Sequence, residues 1–187
     1  MNQELVTSRL KLRNWKDNDF DFALEMHLNP LVTRYFYGEW NNEFIKMWVD
    51  QMKIRVAEGK LNFWVIETKN NQKSIGFIGM DSPDWESSFT PCHEIGWRIS
   101  PSYWGKGYAT EASKAVLDYA LNVMNLKEVV AFAVPENVQS INIMEKLGMK
   151  RDSKHDFLHP EIPSNHPLAK NVLYRISQKQ LRNVTEN

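Results

Sequence analysis

The chain has 187 residues and no long polar tract, which predicts one domain over residues 1–187 with a substantial buried core. Its 23 Lys and Arg residues balance its 23 Asp and Glu residues, so bulk charge does not favour a nucleic acid or a membrane surface as partner. There is no basic and apolar leader, no apolar run of bilayer length and only one cysteine, Cys92, so we expect a cytoplasmic protein with an inert thiol.

Hydrophobic periodicity predicts strands and helices in the first 80 residues. The predicted elements are a strand at 5–12, a helix with Asp17 as its N-cap, a helix at 43–57 with Asn42 as its N-cap, and an antiparallel hairpin at 62–67 and 74–80. His27 continues the apolar face of the first helix, which predicts a core or interface histidine. The aromatic residues at 35–40 indicate packing, with one wall of a substrate cleft as the functional alternative.

The second half of the chain predicts a parallel pair of strands joined by a helix. A strand at 93–99 leads through a glycine turn into an amphipathic helix at 109–124 and then into an apolar strand at 129–134. In such a unit the turn lies at the carboxyl end of the first strand. The elements predicted after it are a helix with Asn137 as its N-cap, a strand at 150–157, a loop with three prolines at 159–167 and a final strand at 172–176.

The turn at Gly105-Lys106-Gly107 carries the first functional signal. Two glycines two residues apart leave backbone N–H groups bare at the positive end of a helix, where a phosphate or pyrophosphate can bind. The alternative is a glycine-rich turn with a solvated lysine. The pattern is neither a Walker loop nor a dinucleotide fingerprint, because Thr110 and Glu111 stand where a third glycine would fall.

Several segments of the chain resemble one known family in the right order. They are Thr7-Ser8-Arg9-Leu10-Lys11-Leu12-Arg13, Glu94-Ile95-Gly96-Trp97, the run from Trp104 to Ala112, the run from Asn137 to Met149, and the segment from His159 to Tyr174. In these segments the chain resembles the GNAT N-acetyltransferases over nearly its whole length. Within that family it resembles the RimJ/RimL-like branch, the ribosomal-protein N-terminal acetyltransferases.

The resemblance implies an α+β fold, in which a mixed and mostly antiparallel sheet is flanked by helices and splayed at a central parallel strand pair. It also implies that acetyl-coenzyme A lies in the gap between the strands ending at Ile99 and Val134. The implied contacts are the backbone of Trp97 and Ile99 for the pantetheine arm, the loop residues Trp104, Gly105, Lys106, Gly107, Tyr108, Ala109 and Thr110 for the pyrophosphate, and Asn137 and Ser140 for the far side of the arm. A plain helix cap is the alternative role for Asn137.

Two residues depart from the pattern of the resembled family. Trp104 stands where many members have Gln or Arg, which leaves a backbone-mediated site intact. Met144 stands where many members have the tyrosine that protonates the leaving thiolate, and a thioether cannot donate a proton. The sequence therefore identifies no general acid.

Acetyl transfer requires an unprotonated amine, a donor to the developing oxyanion and a route for the protons of the amine. No Ser or Cys is followed by a base in a recognisable motif, so we expect direct attack in a ternary complex, with a backbone N–H near Ile99 as oxyanion donor. Glu94 is the first candidate for the base and His93 the second, and a structural carboxylate is the alternative role for Glu94. Strand alternation places His93 on the side of Trp97 and Ile99, and Glu94 on the other side.

The predicted function is acetyl-coenzyme A dependent N-acetylation of a primary amine, with a protein amino terminus as the acceptor that the resemblance implies. A small amine, such as a polyamine, an aminoglycoside or an amino acid, is the second hypothesis. The third, motivated by Met144, is a coenzyme A binding or regulatory module without catalysis. The resemblance also allows a homodimer.

The histidines near the carboxyl end of the chain predict no metal site. His155 and His159 lack a joining cluster of Cys or carboxylate residues, and Pro160 argues against a helix that would bring them onto one face. The functional alternative is that the loop at 159–166 lines the acceptor cleft, with Tyr174 of the last strand facing the same cleft.

Overall fold

The computed structural model of the protein describes residues 3–185, and the side chains of residues 3–181. The chain forms two compact units, of which the first comprises Met1–Asp81 and Gly96–Val116. The second unit comprises Ser82–Ile95 and Leu117–Asn187. One strand and one helix are therefore divided between the two units.

The first unit contains four strands that pair antiparallel in succession, and part of a fifth. Its strands are β1 (Leu5–Val6), β2 (Leu10–Arg13), β3 (Phe63–Thr68), β4 (Ser74–Asp81) and the part of β5 (Glu94–Ile99) that begins at Gly96. The predicted hairpin is confirmed, because β3 and β4 pair antiparallel. The single strand predicted at 5–12 is wrong. Thr7 N donates to Leu10 O at 2.9 Å and Leu10 N donates to Thr7 Oγ1 at 3.0 Å, so the chain turns between β1 and β2.

Three helices of the first unit begin one or two residues away from the predicted positions, and the short helix at Pro30–Thr33 was not predicted. The helices are α1 (Phe20–Leu28), α2 (Pro30–Thr33), α3 (Asn42–Ala57) and the start of α4 (Tyr108–Asp118). Asp17 begins a short 3₁₀ turn and does not cap α1, which Asp19 directly precedes. Asn41 caps α3 instead of Asn42, because its side-chain oxygen accepts a hydrogen bond from Phe44 N at 2.8 Å.

Aromatic side chains dominate the core of the first unit. Trp15, which is buried, packs edge-on against Trp48 and Phe77, and its indole N–H donates to the carbonyl of Phe63 at 2.9 Å. His27 is 1% exposed and its ring stacks on Phe77 with centroids 5.5 Å apart. The prediction of a core histidine is therefore confirmed.

The second unit contains the parallel pair of strands. Its strands are the start of β5, β6 (Glu128–Ala133), β7 (Lys150–Arg151), β8 (Phe157–Leu158) and β9 (Lys170–Ser177). Glu94 lies opposite Val130 in parallel register, and Val130 N donates to His93 O at 2.9 Å, which confirms the predicted parallel pair. β9 pairs antiparallel with β6, β7 and β8.

The strand predicted at 150–157 is wrong as a continuous element. The carboxylate of Asp152 binds His155 Nδ1 at 2.8 Å and Arg175 Nε at 2.6 Å, and a 3₁₀ turn at Ser153–His155 separates β7 from β8. Local side-chain bonds to a carboxylate compete with strand pairing in this way.

The helices of the second unit follow the strands closely. α4 continues into a π-helical turn at Tyr119–Val123, and α5 (Val138–Lys146) and α6 (Gln178–Thr185) follow in the chain. Asn137 caps α5, since its side-chain oxygen accepts from Ser140 N at 3.2 Å, as predicted. Within residues 3–185, no helix combines the length and the apolar character needed to cross a bilayer.

The strand pairing gives the fold class predicted from the sequence. The strands are ordered β1-β2-β3-β4-β5-β6-β9-β7, with β8 beside β9. The sheet is mixed and mostly antiparallel, β5 and β6 form a parallel pair within it, and helices flank it.

Candidate active site

A turn with two left-handed glycines joins β5 to α4. Gly105 has a φ of 73° and Gly107 a φ of 79°, a region in which residues with a Cβ atom are strained. A Cβ atom at Gly105 would meet no other atom within 4 Å, so the backbone conformation, and not crowding, requires this glycine. The stretch from Trp104 to Gly107 is exposed to solvent. The predicted glycine turn is therefore present, with its backbone uncovered.

The first turn of α4 offers amide groups to a ligand. Glu111 N donates to Gly107 O at 3.0 Å, which begins the hydrogen bonding of the helix. The amides of Tyr108, Ala109 and Thr110 come before this bond and have no carbonyl within the helix to reach. They lie at the positive end of the helix dipole, where an anion is stabilised. The backbone therefore fits a pyrophosphate group at this turn.

Glu111 ties the amino-terminal segment of the chain to this turn. Its Oε1 accepts hydrogen bonds from Thr7 Oγ1 at 2.6 Å, Ser8 Oγ at 3.1 Å and Arg9 N at 2.9 Å. Its Oε2 forms an ion pair with Arg9 Nε at 2.7 Å. Burial acts to raise the pKa of Glu111, but these hydrogen bonds hold the pKa below its usual value. The carboxylate is therefore charged and fully engaged in the folded protein.

Arg9 lies against the glycine turn itself. Its Nη1 donates to Lys106 O at 3.1 Å, and its guanidinium carbon lies 4.5 Å from the centroid of the Tyr108 ring. A Cβ atom built at Gly107 would lie 3.5 Å from Arg9 Nη2. Arg9 thus brings positive charge to the turn. In the sequence, Thr7, Ser8 and Arg9 belong to a segment that resembles the family. No local sequence pattern predicts their contact with Glu111.

Trp104 connects the turn to the end of β5. Its indole N–H donates to Ile99 O at 2.7 Å. On the other edge of β5, Ser100 N donates to Ile75 O of β4 at 2.8 Å. Because backbone groups alternate along a strand, the N–H and C=O groups of Trp97 and Ile99 point away from β4. Because the indole occupies the Ile99 carbonyl, the N–H groups of Trp97 and Ile99 and the carbonyl of Trp97 form the edge that an extended ligand can use.

The exposed lysine side chain of the turn is held by its own loop. Lys106 Nζ donates to Ser102 O at 3.0 Å and lies 5.1 Å from the centroid of the Tyr103 ring. The Lys106 side chain therefore folds back over its own loop, and its backbone is the part that remains available at the turn.

The two candidate bases lie together at the start of β5 in the second unit. His93 directly precedes the strand, and its Nδ1 is 2.9 Å from Ser82 Oγ. Glu94 is the first residue of the strand and is half-buried. Both residues are adjacent to the parallel pairing with Val130.

The candidate contacts for the far side of the cofactor arm lie at the start of α5. Asn137 serves as the cap of this helix, and its own N–H donates to Val134 O at 2.9 Å. Ser140 is half-buried in the first turn. Asn137 therefore caps the helix through its side-chain oxygen. The cap does not use its side-chain amide nitrogen, which can donate to another partner.

Three further side chains bear on the chemistry of the second unit. Met144 is 1% exposed within α5 and offers no proton. Tyr174, on β9, donates its hydroxyl to Glu145 Oε1 at 3.2 Å, and burial together with this carboxylate raises the pKa of Tyr174. Burial and the charge of Glu94 raise the pKa of Cys92 to about 11, so this thiol is protonated at neutral pH and is a poor nucleophile.

The histidines near the carboxyl end of the chain serve local structure. His155 binds Asp152, while His159 lies among Trp85, Phe132 and Phe157, where burial lowers its pKa. Among the residues that the structure describes, no group of three His, Cys, Asp or Glu side chains is arranged to hold a metal ion.

The bare turn before α4 and the parallel pair of β5 and β6 agree with one family of enzymes. A sequence model of the acetyltransferase (GNAT) domain matches residues 9–150. The chain belongs to the GNAT acetyltransferase family. The matched region begins at Arg9 and contains both the glycine turn and Asn137. GNAT enzymes use acetyl-coenzyme A, and the uncovered amides of the turn fit the pyrophosphate of that molecule.

Relatives and solved structures agree with the GNAT assignment. The uncharacterized N-acetyltransferase YnaD of Bacillus subtilis is 31% identical over 177 residues, which cover 94% of this chain and 98% of that protein. The spermidine N(1)-acetyltransferase of Escherichia coli K12 is 26% identical over 151 residues, covering 79% of this chain and 77% of that protein. The crystal structure of a GNAT-family acetyltransferase from Bacillus anthracis matches with a TM-score of 0.78 and 26% identity, covering 95% of this chain and 99% of that chain. The GNAT protein is thus an N-acetyltransferase.

Proposed function

We propose that this GNAT enzyme transfers the acetyl group of acetyl-coenzyme A directly to a primary amine, and that a protein amino terminus is the acceptor. The observation that carries the proposal is the turn at Gly105 and Gly107, where two residues with positive φ expose the first amides of α4. In this proposal the amides from Gly105 to Thr110 hold the pyrophosphate. The outward backbone edge of Trp97 and Ile99 binds the pantetheine arm, and Asn137 and Ser140 contact that arm.

The carbonyl of the bound thioester needs a hydrogen-bond donor while charge develops on its oxygen. Acetyl-coenzyme A supplies the activated acetyl group. The backbone N–H of Ile99 points away from β4 and is the donor that we assign to this oxygen. The Trp104 indole holds the neighbouring carbonyl of Ile99, and so limits rotation of the same segment of backbone.

The amine must lose a proton before or during its attack on the carbonyl. We assign this role to Glu94, acting directly or through water, with His93 as the second candidate. Direct transfer is favoured because the protonated thiol of Cys92 is a poor acceptor of an acetyl group. Met144 does not protonate the leaving thiolate, so in this proposal solvent supplies that proton.

The choice between acceptors rests on different observations. The RimJ/RimL-like segments of the sequence support a protein amino terminus. The spermidine N(1)-acetyltransferase of Escherichia coli supports a small amine as the second candidate, because it is 26% identical over 79% of this chain. A polyamine is a polycation, and its binding calls for a group of carboxylates beside the thioester.

The decisive experiment measures thiol release from acetyl-coenzyme A with panels of peptides and small amines, and identifies the products by mass spectrometry. We expect acetylated amino termini among the products. Tight binding of acetyl-coenzyme A without turnover on any amine would contradict the proposal and support a coenzyme A binding module.

Glu94→Gln tests the assignment of the base. We expect E94Q to lower kcat by roughly 100-fold and to remove the acidic limb of its pH profile, because a general base contributes about that much. Glu86→Gln removes an exposed carboxylate of the preceding loop and is the matched control. An unchanged pH profile in E94Q would move the assignment to His93, which His93→Gln then tests.

A further inference from the structure

Arg98, on β5, is a cation without a counterion in the first unit. Its guanidinium carbon lies 3.8 Å from the ring centroid of Phe36, 4.9 Å from that of Trp40 and 5.4 Å from that of Phe77. Its Nη1 is buried and has no hydrogen-bond partner. No side chain that the structure describes forms an ion pair with it. Aromatic faces attract the charge, but they do not accept the in-plane hydrogen bonds of a guanidinium.

Trp40 supplies a second unpaired donor beside the first. Its indole Nε1 is buried and has no partner among the described residues. The ring is held edge-on by Phe44, with centroids 5.3 Å apart, and it lies 5.0 Å from the ring of His27. Buried donors in folded proteins are nearly always paired. His27 Nε2 is an acceptor, because Nδ1 donates to Ala23 O, yet it too is buried without a partner. The one nearby acceptor of the described residues therefore does not meet either donor, which leaves room for an acceptor from a bound molecule.

The surroundings of these donors favour a negative ligand. Burial and the charge of Arg98 lower the pKa of His27 to about 4, so His27 is neutral at pH 7. Burial lowers the pKa of Arg98 to about 9, which leaves its positive charge in place at neutral pH. A carboxylate matches the planar edge of a guanidinium, and its oxygens accept from two donors. Arg98 as a whole is half-buried, its Nη1 is shielded from solvent, and Phe36, which covers it, is 40% exposed. A ligand therefore reaches this nitrogen only when the Phe36 ring moves aside.

The position of Arg98 in β5 indicates which molecule brings the carboxylate. Arg98 lies between Trp97 and Ile99, whose backbone edge is assigned to the pantetheine arm. Alternation along the strand turns the Arg98 side chain to the face opposite Trp97 and Ile99, the face that Glu94 also takes. An anion at Arg98 therefore belongs to the acceptor and not to the coenzyme.

Building on the proposed function, we propose that Arg98 Nη1 and Trp40 Nε1 bind a carboxylate of the amine acceptor. The enzyme then selects amines that carry a nearby carboxylate, such as a peptide with an acidic side chain next to its amino terminus or a small amino acid. The same cation repels a polyamine, which is a cation along its whole length.

Matched acceptors that differ only in this carboxylate test the inference. One pair is a carboxyl-terminally amidated peptide with Glu or with Gln at its second position, and the other is β-alanine with β-alaninamide. In one of the two pairs we expect kcat/KM to be at least about tenfold higher for the acid than for the matching amide. A site built to bind a polar group discriminates strongly against a ligand that lacks this group. The pair that shows the preference identifies the source of the carboxylate. Equal rates for acid and amide in both pairs would overturn this inference and leave the proposed function intact.

Variants separate recognition from structural support. Arg98→Met keeps the bulk of the stem within the aromatic rings, and we expect it to reduce the preference for the acid to within about twofold. Trp40→Phe removes only one donor and should lower the preference by less. Arg34→Met is the control, because Arg34 is an exposed arginine that lies over the ring of Tyr35 in the same unit. A preference that survives in R98M would contradict the assignment.

A binding measurement keeps the inference testable without turnover. Propionate should shift the NMR resonance of the Trp40 indole N–H in the unmodified protein, whereas propionamide should leave it unchanged. Absence of a shift with propionate would overturn the inference even if acetyl transfer is observed. A shift with propionate in a protein that acetylates no amine would uphold the carboxylate site while the proposed function fails.

Discussion

The carboxylate of Glu111 binds Arg9 in two places, at the backbone N–H and at the guanidinium Nε, with distances of 2.9 and 2.7 Å. The two residues are 102 positions apart in the chain. The pairing holds a cation beside the turn that fits the pyrophosphate, and it neutralises a carboxylate that would otherwise repel the same group. In the proposed cofactor site, Glu111 is thus a positioning residue for the turn.

Glu111→Gln should weaken the binding of acetyl-coenzyme A. The variant keeps the shape of the side chain but loses the charge that orients Arg9, and we expect Kd to rise roughly three- to tenfold. Isothermal titration calorimetry measures the change. Asp118→Asn removes an exposed carboxylate from the same helix and should leave Kd unchanged. Equal affinity of E111Q and the unmodified protein would contradict the positioning role.

Gly107→Ala should impair cofactor binding beyond its effect on stability. Gly107 and Gly59 have φ values of 79° and 70°, and a Cβ atom at Gly59 would meet nothing within 4 Å. We expect either alanine to lower the free energy of unfolding by about 1–2 kcal/mol, since both force a left-handed conformation. Only G107A should also raise the Kd for acetyl-coenzyme A, by roughly tenfold, through displaced amides. A similar rise in G59A would show that the effect is global.

Local backbone chemistry explains which parts of the site could be predicted from the sequence. The turn at Gly105 and Gly107 was predictable because few residues other than glycine adopt a positive φ, and two of them before an amphipathic helix indicate an anion site. The cap at Asn137 was predictable for a similar reason, since its side chain bonds to an amide three residues away. Such signals depend on neighbours in the chain.

Contacts between distant residues explain what the sequence did not reveal. The four bonds to Glu111 come from residues more than 100 positions earlier, and no local pattern pairs them. No local pattern indicated that the rings of Phe36 and Trp40 surround Arg98. The turn at Thr7 replaced a predicted continuous strand because one hydroxyl competes for the Leu10 amide.

Asp19→Ala should destabilise the first unit strongly. Arg13 and Asp19 are 5% and 4% exposed, and their two hydrogen bonds measure 2.7 and 2.9 Å. Removal of Asp19 takes one of its carboxylate partners from the buried guanidinium of Arg13. We therefore expect the free energy of unfolding, measured with urea, to fall by about 3–5 kcal/mol. Glu67→Gln is the comparison, because Glu67 is the more exposed partner of Arg13 and its loss should cost less. A D19A protein as stable as E67Q would contradict this ranking.

His27 should make the protein less stable in mild acid. Burial and the charge of Arg98 lower its pKa from 6.5 to about 4, against the opposing bond from the ring to Ala23 O. The unfolded chain therefore takes up the proton first, so the stability that neutral His27 contributes is complete above pH 6.5 and is lost as the pH falls to about 4. The total loss is about 3 kcal/mol.

Unfolding free energies measured between pH 7 and pH 4 test this prediction in His27→Phe. The substitution removes the titrating group and keeps a ring in the aromatic core. The fall in the free energy of unfolding between pH 7 and pH 4 should therefore become smaller by about 3 kcal/mol. His155→Gln, which removes a more exposed histidine, should keep the full decline. Arg98→Met adds a second test, because the loss of a neighbouring positive charge should raise the pKa of His27 in an NMR titration. An unchanged pKa in R98M would mean that burial alone sets the protonation state of His27, and that the charge of Arg98 does not reach it.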